Sequence, residues 1–115
     1  MSKESEIELF LSAFKNKLDI WGIIYIDRDK NQNTLLELEI RPIDRDPVLK
    51  ALKLEDYSEG PLKEILYQGA DMWIFGKKVK ETEIYIKITM GNISNQVLCI
   101  SFHIAEYEMN YPFKK

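Results

Sequence analysis

Cysteine, histidine and long apolar runs are scarce in this sequence. The 115 residues include one cysteine, Cys99, and one histidine, His103, which excludes an internal disulfide and is too few for a four-ligand zinc site. No segment approaches the roughly 20 apolar residues of a membrane-spanning helix, and the polar, acidic start does not resemble a secretory signal. We therefore expect a cytoplasmic protein that needs neither a membrane nor a metal ion or other cofactor.

Negative side chains outnumber positive ones, 19 to 16. The net charge of −3 is opposite in sign to that of most nucleic-acid-binding domains. Its distribution is uneven, because residues 77–115 carry six lysines against four glutamates, while residues 1–76 hold ten positive and fifteen negative side chains. The C-terminal part is therefore weakly basic and can contact phosphate groups locally.

Several common catalytic motifs are missing. The sequence has no glycine-rich phosphate-binding loop and no serine nucleophile elbow. Cys99 and His103 are four residues apart on one predicted strand, a separation of about 13 Å at the usual rise, which is too long for direct proton transfer. We interpret Cys99 as a small buried apolar side chain.

One α+β domain is the fold that the remaining patterns predict, and it spans residues 1–115. Residues 5–18 predict a helix, because apolar side chains recur at helical spacing at Ile7, Phe10, Leu11, Phe14 and Leu18. The other elements follow in order: a strand over 21–26, a polar loop over 27–33, a helix over 33–39, a helix opening at Asp46 and Pro47, a loop over 55–62, a short helical turn over 63–67 and a strand over 72–75. We expect the N-terminal helices to pack on one face of a small antiparallel sheet.

The clearest strand pattern lies between residues 83 and 104. In its first half, Ile84, Ile86 and Ile88 alternate with Tyr85, Lys87 and Thr89; in its second half, Leu98, Ile100, Phe102 and Ile104 alternate with Val97, Cys99, Ser101 and His103. The turn-forming residues 90–96 between them favour an antiparallel hairpin. Side chains on a strand alternate between its two faces, so the apolar sets share a core and the mixed sets share the opposite face. That second face would carry Tyr85, Lys87, Ser101 and His103.

Two interpretations of this face stay open. The simpler one is a solvated outer surface, since antiparallel sheets commonly have one wet face. The other is acid–base chemistry on RNA, in which internal transfer needs a base for the 2′-hydroxyl, an acid for the leaving 5′-oxygen and a cation for the phosphorane. His103 can act as base or acid near neutral pH, Lys87 and Lys77 can stabilise charge, and Tyr85 can donate a proton.

The C-terminal tail, residues 106–115, is rich in aromatic side chains. We expect Tyr107, Tyr111 and Phe113 to fold back on the domain, because exposed rings are costly. Stacking on nucleic-acid bases is the alternative use of aromatic rings next to lysines.

The order of several short motifs resembles a family of bacterial toxins. The motifs concerned are Asp56-Tyr57, Met72-Trp73, Ile84-Tyr85-Ile86-Lys87-Ile88 and Ile100-Ser101-Phe102, and the family is that of the motility quorum-sensing regulator (MqsR) toxins. The chain is also similar to a wider group of small toxins in its signatures Glu59-Gly60-Pro61, Phe75-Gly76-Lys77, Tyr85-Ile86-Lys87 and Ser101-Phe102-His103. MqsR toxins resemble RelE-type ribonucleases in fold, cut messenger RNA and form type II toxin–antitoxin pairs. The resemblance therefore implies a RelE/MqsR-like fold, mRNA as substrate, and a cognate antitoxin of the helix-turn-helix DNA-binding class as protein partner.

The resemblance also implies which residues act on RNA. Tyr85 and Lys87 match the family's strand tyrosine and lysine, and His103 stands where the family has a lysine after the Ser-Phe pair. The candidate catalytic residues are therefore Tyr85, Lys87 and His103, with the histidine doing what lysine does elsewhere. The candidate RNA-binding residues are Lys77, Tyr57 and Trp73.

Two other positions depart from the family's pattern. Ile74 stands where the family has a glutamine, and Glu59 inverts the charge of a lysine. Two functional hypotheses follow, a toxin-type endoribonuclease and a non-catalytic binding module of the same fold. The cluster of Tyr85, Lys87 and His103 favours the first, and the acidic balance of the chain favours the second.

Overall fold

Three α-helices and a five-stranded sheet form the part of the chain that the structure, a computed structural model, describes: residues 3–63, 70–92 and 95–114. The helices are α1 (Lys3–Trp21), α2 (Asp29–Leu38) and α3 (Arg45–Lys50). The strands are β1 (Ile23–Tyr25), β2 (Tyr57–Leu62), β3 (Met72–Val79), β4 (Thr82–Thr89) and β5 (Val97–Ile104). Single 3₁₀ turns cover Pro42–Asp44 and Leu54–Asp56. The α+β class is confirmed.

The sheet is mixed, which corrects the expectation of a purely antiparallel one. The strand order is β1-β5-β4-β3-β2; β2 to β5 pair antiparallel, but β1 runs parallel to β5, with Ile23 opposite Val97 and Tyr25 opposite Cys99. Parallel neighbours need a long connection, and here the whole of α2 to β4 lies between them. Strand β1 has only three residues, and nothing in their sequence indicates which strand β1 pairs with or in which direction.

One face of the sheet, the inner face, packs on α1. Its apolar side chains come from β3 and β4 and include Trp73, Phe75, Ile84, Ile86 and Ile88. The predicted helix stripe meets them, and all of its members are buried: Ile7, Phe10, Leu11, Phe14 and Leu18. The Phe10 ring stacks on Trp73 with centroids 4.6 Å apart. The helix prediction for residues 5–18 is confirmed, and α1 extends it at both ends.

Helix α2 begins at Asp29, so the loop predicted over residues 27–33 is wrong for most of its length. The polar side chains of its first turns bind the edge of β5 that β1 leaves open. Asn31 Oδ1 accepts a hydrogen bond from the Phe102 amide at 3.0 Å, and Asn31 Nδ2 donates to the Ile100 carbonyl at 3.1 Å. Thr34 Oγ1 accepts from the Ile104 amide at 3.0 Å. These two polar side chains of α2 thus bind the backbone of β5 and do not face solvent. The spacing of polar residues in the sequence does not distinguish these two roles.

The loop predicted over residues 55–62 is also wrong from Tyr57 onward, where edge strand β2 begins. Gly60 and Pro61 are tolerated there because an edge strand has a neighbour on one side only, so a residue without an N–H can face away from that neighbour. Strand β3 continues past Gly76 to Val79, and the chain turns at Lys80 and Glu81, whose φ values of 50° and 66° are typical of a two-residue hairpin. The helical turn predicted over 63–67 lies, apart from residue 63, outside the described residues. Among the described helices, none combines the length and apolarity that crossing a bilayer requires.

Candidate active site

The outer face of the sheet, opposite α1, brings together the four polar side chains that the hairpin predicted. In the pairing of β4 with β5, Tyr85 lies opposite His103 and Lys87 lies opposite Ser101. The antiparallel hairpin and this shared face are therefore confirmed. The strand register brings these side chains together, because directly opposite residues of two paired strands have neighbouring Cβ atoms.

Strict alternation fails at the other end of β5. A register shift between Lys87 and Ile88 places Cys99 opposite Ile88, so Ile100 is the extra residue of a bulge. The bulge turns Cys99 and Val97 to the inner face, where both are buried. Cys99 is thus a buried small side chain, as predicted, and burial raises the pKa of its thiol to about 12.

The outer face is less exposed than a solvated surface would be. The His103 side chain is 7% exposed and Ser101 is 1% exposed, while Tyr85 and Lys87 are half-buried. The rings of Tyr85 and His103 stack with centroids 5.1 Å apart and planes 13° from parallel. The interpretation of this face as a plain solvated surface is therefore wrong for the two β5 side chains.

His103 has a hydrogen-bond contact on one side and a cavity on the other. Its Nδ1 lies 3.0 Å from the Ile104 carbonyl oxygen, so an Nδ1–H tautomer donates there and leaves Nε2 as the proton acceptor. On the α2 side the imidazole borders a cavity of about 180 Å³ whose other lining residues are Lys30, Asn33, Thr34, Glu37, Ile104 and Glu106. Lys30 and Glu106 form an ion pair across it, with 2.8 Å between Nζ and Oε1.

Arg28, which the sequence did not single out, joins the outer face from the segment between β1 and α2. Its Nη1 donates a hydrogen bond to Ser101 Oγ at 3.3 Å. Burial lowers the pKa of the Lys87 ammonium, the positive charge of Arg28 lowers it further, and Glu59 opposes both. Within residues 3–63, 70–92 and 95–114, the Lys87 ammonium makes no hydrogen bond or ion pair, although it lies 5.9 Å from the centre of the Tyr85 ring. Two neighbouring cations, neither of which forms an ion pair in the described ranges, favour an anionic ligand.

The Tyr85 phenol remains protonated well beyond neutral pH. Burial, and then the neighbouring Tyr107 and Glu59, raise the pKa of its hydroxyl to about 12, against the opposing charge of Arg28. At neutral pH the phenol is therefore a hydrogen-bond donor or an acid, and not a base.

The aromatic tail behaves in two ways. Tyr111 folds back as expected, because its hydroxyl donates to Glu83 Oε2 at 2.6 Å, and Phe113 packs on Tyr57 with ring centroids 5.8 Å apart. Tyr107 does not, since its side chain is 68% exposed. It lies three residues after the end of β5, at the rim of the outer face, where its hydroxyl influences Tyr85 electrostatically.

The three predicted RNA-binding residues are not brought to this face. Trp73 lies opposite Ile88 on the inner face, and Tyr57 packs edge-on against Trp73 in the same core, so neither ring has a free face for a base. Lys77 also belongs to the inner side, where its Nζ lies 3.1 Å from Asp56 Oδ2. The sequence showed these aromatic types but not which side of their strands would meet α1.

The two positions that depart from the family's pattern do border Lys87. Ile74 is its cross-strand partner in β3 and is buried, and Glu59 of β2 lies opposite Ile74. The carboxylate of Glu59 influences both Lys87 and Tyr85 electrostatically. The site is therefore a row across β2, β3, β4 and β5 rather than a hairpin feature alone.

Comparisons with protein-family models, with curated proteins and with solved structures found no match to this chain. The likeness to MqsR toxins, and with it the RelE/MqsR-like topology, stays a prediction. In the described ranges, no three His, Cys, Asp or Glu side chains are grouped so as to hold a metal ion.

Proposed function

We propose that this protein is the toxin of a type II toxin–antitoxin pair and an endoribonuclease that cleaves mRNA by acid–base catalysis. The observation that carries the proposal is the pairing of Tyr85 with His103 and of Lys87 with Ser101 on one face of the sheet. A phenol, an imidazole and an ammonium thereby share one face, as acid–base cleavage of a phosphodiester between them requires. The order of motifs supports the same class of protein.

The proposed reaction is internal transfer within RNA. The 2′-oxygen attacks the neighbouring phosphorus, the bond from phosphorus to the 5′-oxygen breaks, and the products are a 2′,3′-cyclic phosphate and a 5′-hydroxyl. A base takes the proton of the 2′-hydroxyl, and an acid gives a proton to the leaving 5′-oxygen. The reaction needs no metal, provided that a cation stabilises the extra charge on the phosphorane.

The environment of each side chain suggests its role. Lys87 faces the phosphate as the stabilising cation, because it has no carboxylate partner within salt-bridge distance in the described part of the chain. Tyr85 donates a hydrogen bond or a proton, since its raised pKa keeps it protonated at neutral pH. His103 Nε2 is the proton acceptor, and the nucleotide reaches it through the cavity on the α2 side.

A non-catalytic binding module is the second candidate. Its support is the burial of His103 and Ser101, which restricts access to the imidazole, together with the net charge of −3. Such a protein would keep the fold and the antitoxin-binding surface without cleaving RNA.

The experiment is induction of the protein in cells with and without the adjacent gene, followed by incubation of purified protein with RNA. The proposal expects growth arrest that the neighbouring antitoxin relieves, and RNA products ending in a cyclic phosphate. Tyr85→Phe should remove both effects while the fold is kept. Tyr25→Phe is the matched control, because its phenol donates instead to Asp46 at 2.5 Å, at the β1 edge. Harmless expression and uncut RNA would leave the non-catalytic module as the function.

A further inference from the structure

An ion pair joins two segments that are far apart in sequence and lie beside Tyr85. Lys30 at the start of α2 pairs with Glu106 in the segment after β5, with 2.8 Å between Nζ and Oε1. Arg28 lies two residues before the lysine, and Tyr107 follows the glutamate directly. The ion pair therefore brings an exposed guanidinium and an exposed phenol ring to the same rim of the outer face.

Each of these two side chains is open to a ligand. The Tyr107 ring is 68% exposed although a large apolar surface is costly in water. Arg28 is exposed, and within the described ranges its side chain hydrogen-bonds the neutral hydroxyl of Ser101 and forms no ion pair with a carboxylate. Ser101 is itself buried, so the hydrogen bond fixes the guanidinium from below and leaves its other donors free for a ligand.

We propose that Arg28 and Tyr107 form a nucleotide-binding subsite next to Tyr85, in which the guanidinium binds a phosphate of the RNA and the Tyr107 ring stacks on the adjacent base. The inference deepens the proposed ribonuclease function and rests on it for the identity of the ligand. Guanidinium groups match phosphate oxygens with paired donors. Aromatic rings stack on any unpaired base, because every base has a π face.

The subsite selects single-stranded RNA. A base in a duplex is stacked on its neighbours and is not available to a protein ring, whereas bases in single strands can turn outward. The RNA backbone would pass over Tyr85 and Lys87 between Arg28 and the base-stacking ring. Neighbouring charge is mixed, since Glu59 and Glu106 lie nearby, so the phosphate contact must come from specific cations and not from a broad basic surface.

The test measures the affinity of full-length protein for a short single-stranded 2′-O-methyl oligonucleotide, which cannot undergo internal transfer. Arg28→Gln should weaken binding and reduce the slope of log affinity against log salt by about 0.7, the value for one phosphate contact on a single strand. Arg28→Lys, which keeps the charge, should restore most of the slope. Lys50→Gln is the control, because Lys50 pairs with Asp19 on the α1 side of the molecule.

The stacking contact has its own readout. A fluorescent 2-aminopurine base in the oligonucleotide should be quenched on binding to the wild-type protein and not to Tyr107→Ala. That variant should bind roughly 5- to 150-fold more weakly, as expected for loss of one base–aromatic stack. Tyr107→Phe keeps the ring and should restore quenching, and Trp21→Ala, which removes an exposed ring at the end of α1, should bind like wild type.

Binding and cleavage separate the two proposals. If Arg28→Gln and Tyr107→Ala bind like wild type, or if a duplex of the same sequence binds equally well, the subsite is wrong even where the wild-type protein cuts RNA. If both variants lose affinity but no RNA is cut, the subsite stands and the catalytic function fails. A wild-type protein that binds no oligonucleotide overturns the subsite.

Discussion

The imidazole of His103 lies flat beneath the phenol ring of Tyr85, with ring planes 13° from parallel and centroids 5.1 Å apart. The two residues are direct cross-strand partners in β4 and β5. His103 is buried and Tyr85 is half-buried, so the stack holds the Tyr85 hydroxyl in position. It also places the imidazole next to the phenol.

Replacing His103 by two different residues separates the stack from acid–base chemistry. His103→Phe keeps a buried aromatic ring but cannot carry a proton, and we expect cleavage to fall by about 10²–10⁴-fold, the usual contribution of a positioned acid or base. The measurement is kcat on a short RNA, with circular dichroism to confirm folding. His103→Asn removes the ring and should also alter the Tyr85 environment. Wild-type activity in His103→Phe would show that the imidazole only supports Tyr85.

Lys87 should titrate below an ordinary lysine. Its pKa is lowered by burial first and by Arg28 second, while Glu59 raises it. We therefore expect Arg28→Gln to raise the pKa of Lys87 and Glu59→Gln to lower it further, as measured by NMR on the ¹³C-methylated lysine. Lys87→Arg, which removes this lysine, assigns its resonance among those of the other lysines. No movement of the Lys87 pKa in either variant would contradict the arrangement.

The same shift predicts how stability depends on pH. Since the folded state holds the Lys87 proton less tightly than the unfolded state, stability from this group should rise as pH increases through its folded pKa toward 10.5, the ordinary lysine value. Tyr85 acts in the opposite direction. Its raised pKa means that stability present below pH 10 is lost between about 10 and about 12. Urea unfolding of wild type and Tyr85→Phe between about pH 10 and 12 checks the sign for Tyr85, and unfolding of wild type and Lys87→Gln below pH 10.5 checks the sign for Lys87.

Asn31 is the residue whose loss should most weaken the docking of α2. Its side chain bonds the Phe102 amide and the Ile26 and Ile100 carbonyls, and it is buried. Asn31→Ala leaves these groups unpaired, so we expect a loss of about 2–4 kcal/mol in the free energy of unfolding by urea. Asn33→Ala, an exposed position on the same helix, should change it by less than about 0.5 kcal/mol. Equal effects of the two changes would contradict the role of Asn31 at the strand edge.

Gly76 leaves room for the tail. A Cβ atom at this position would lie 2.1 Å from the Tyr111 hydroxyl oxygen, so Gly76→Ala must displace the ring and its hydrogen bond to Glu83. We expect destabilisation of about 1–3 kcal/mol, the usual cost of overpacking. The double variant Gly76→Ala with Tyr111→Ala should lose less than the sum of the two single changes. If the losses in free energy of unfolding simply add, the Tyr111 ring does not pack against Gly76.

Local periodicity was sufficient for the elements that bury one face. The spacing of Ile7, Phe10 and Phe14 predicted α1, and the alternation of Tyr85 and Lys87 with isoleucines predicted β4 and its shared face with β5. These patterns succeed because each follows from the geometry of a single helix or strand. The burial of Cys99 was predicted from its chemistry, but it is the bulge at Ile100, and not strand alternation, that turns this side chain inward.

Long-range contacts decided the rest. Periodicity does not specify that polar side chains of α2 bind the open edge of β5, that a bulge at Ile100 turns Val97 inward, or that Trp73 and Tyr57 face the core. Nor does it show that Ser101 holds Arg28 beside Lys87. The sequence by itself determined that Tyr85, Lys87, Ser101 and His103 share one face of the hairpin. Only the tertiary structure decided which of them meet solvent and which cations meet each other, because burial and electrostatic contact depend on segments about 70 residues apart in the chain.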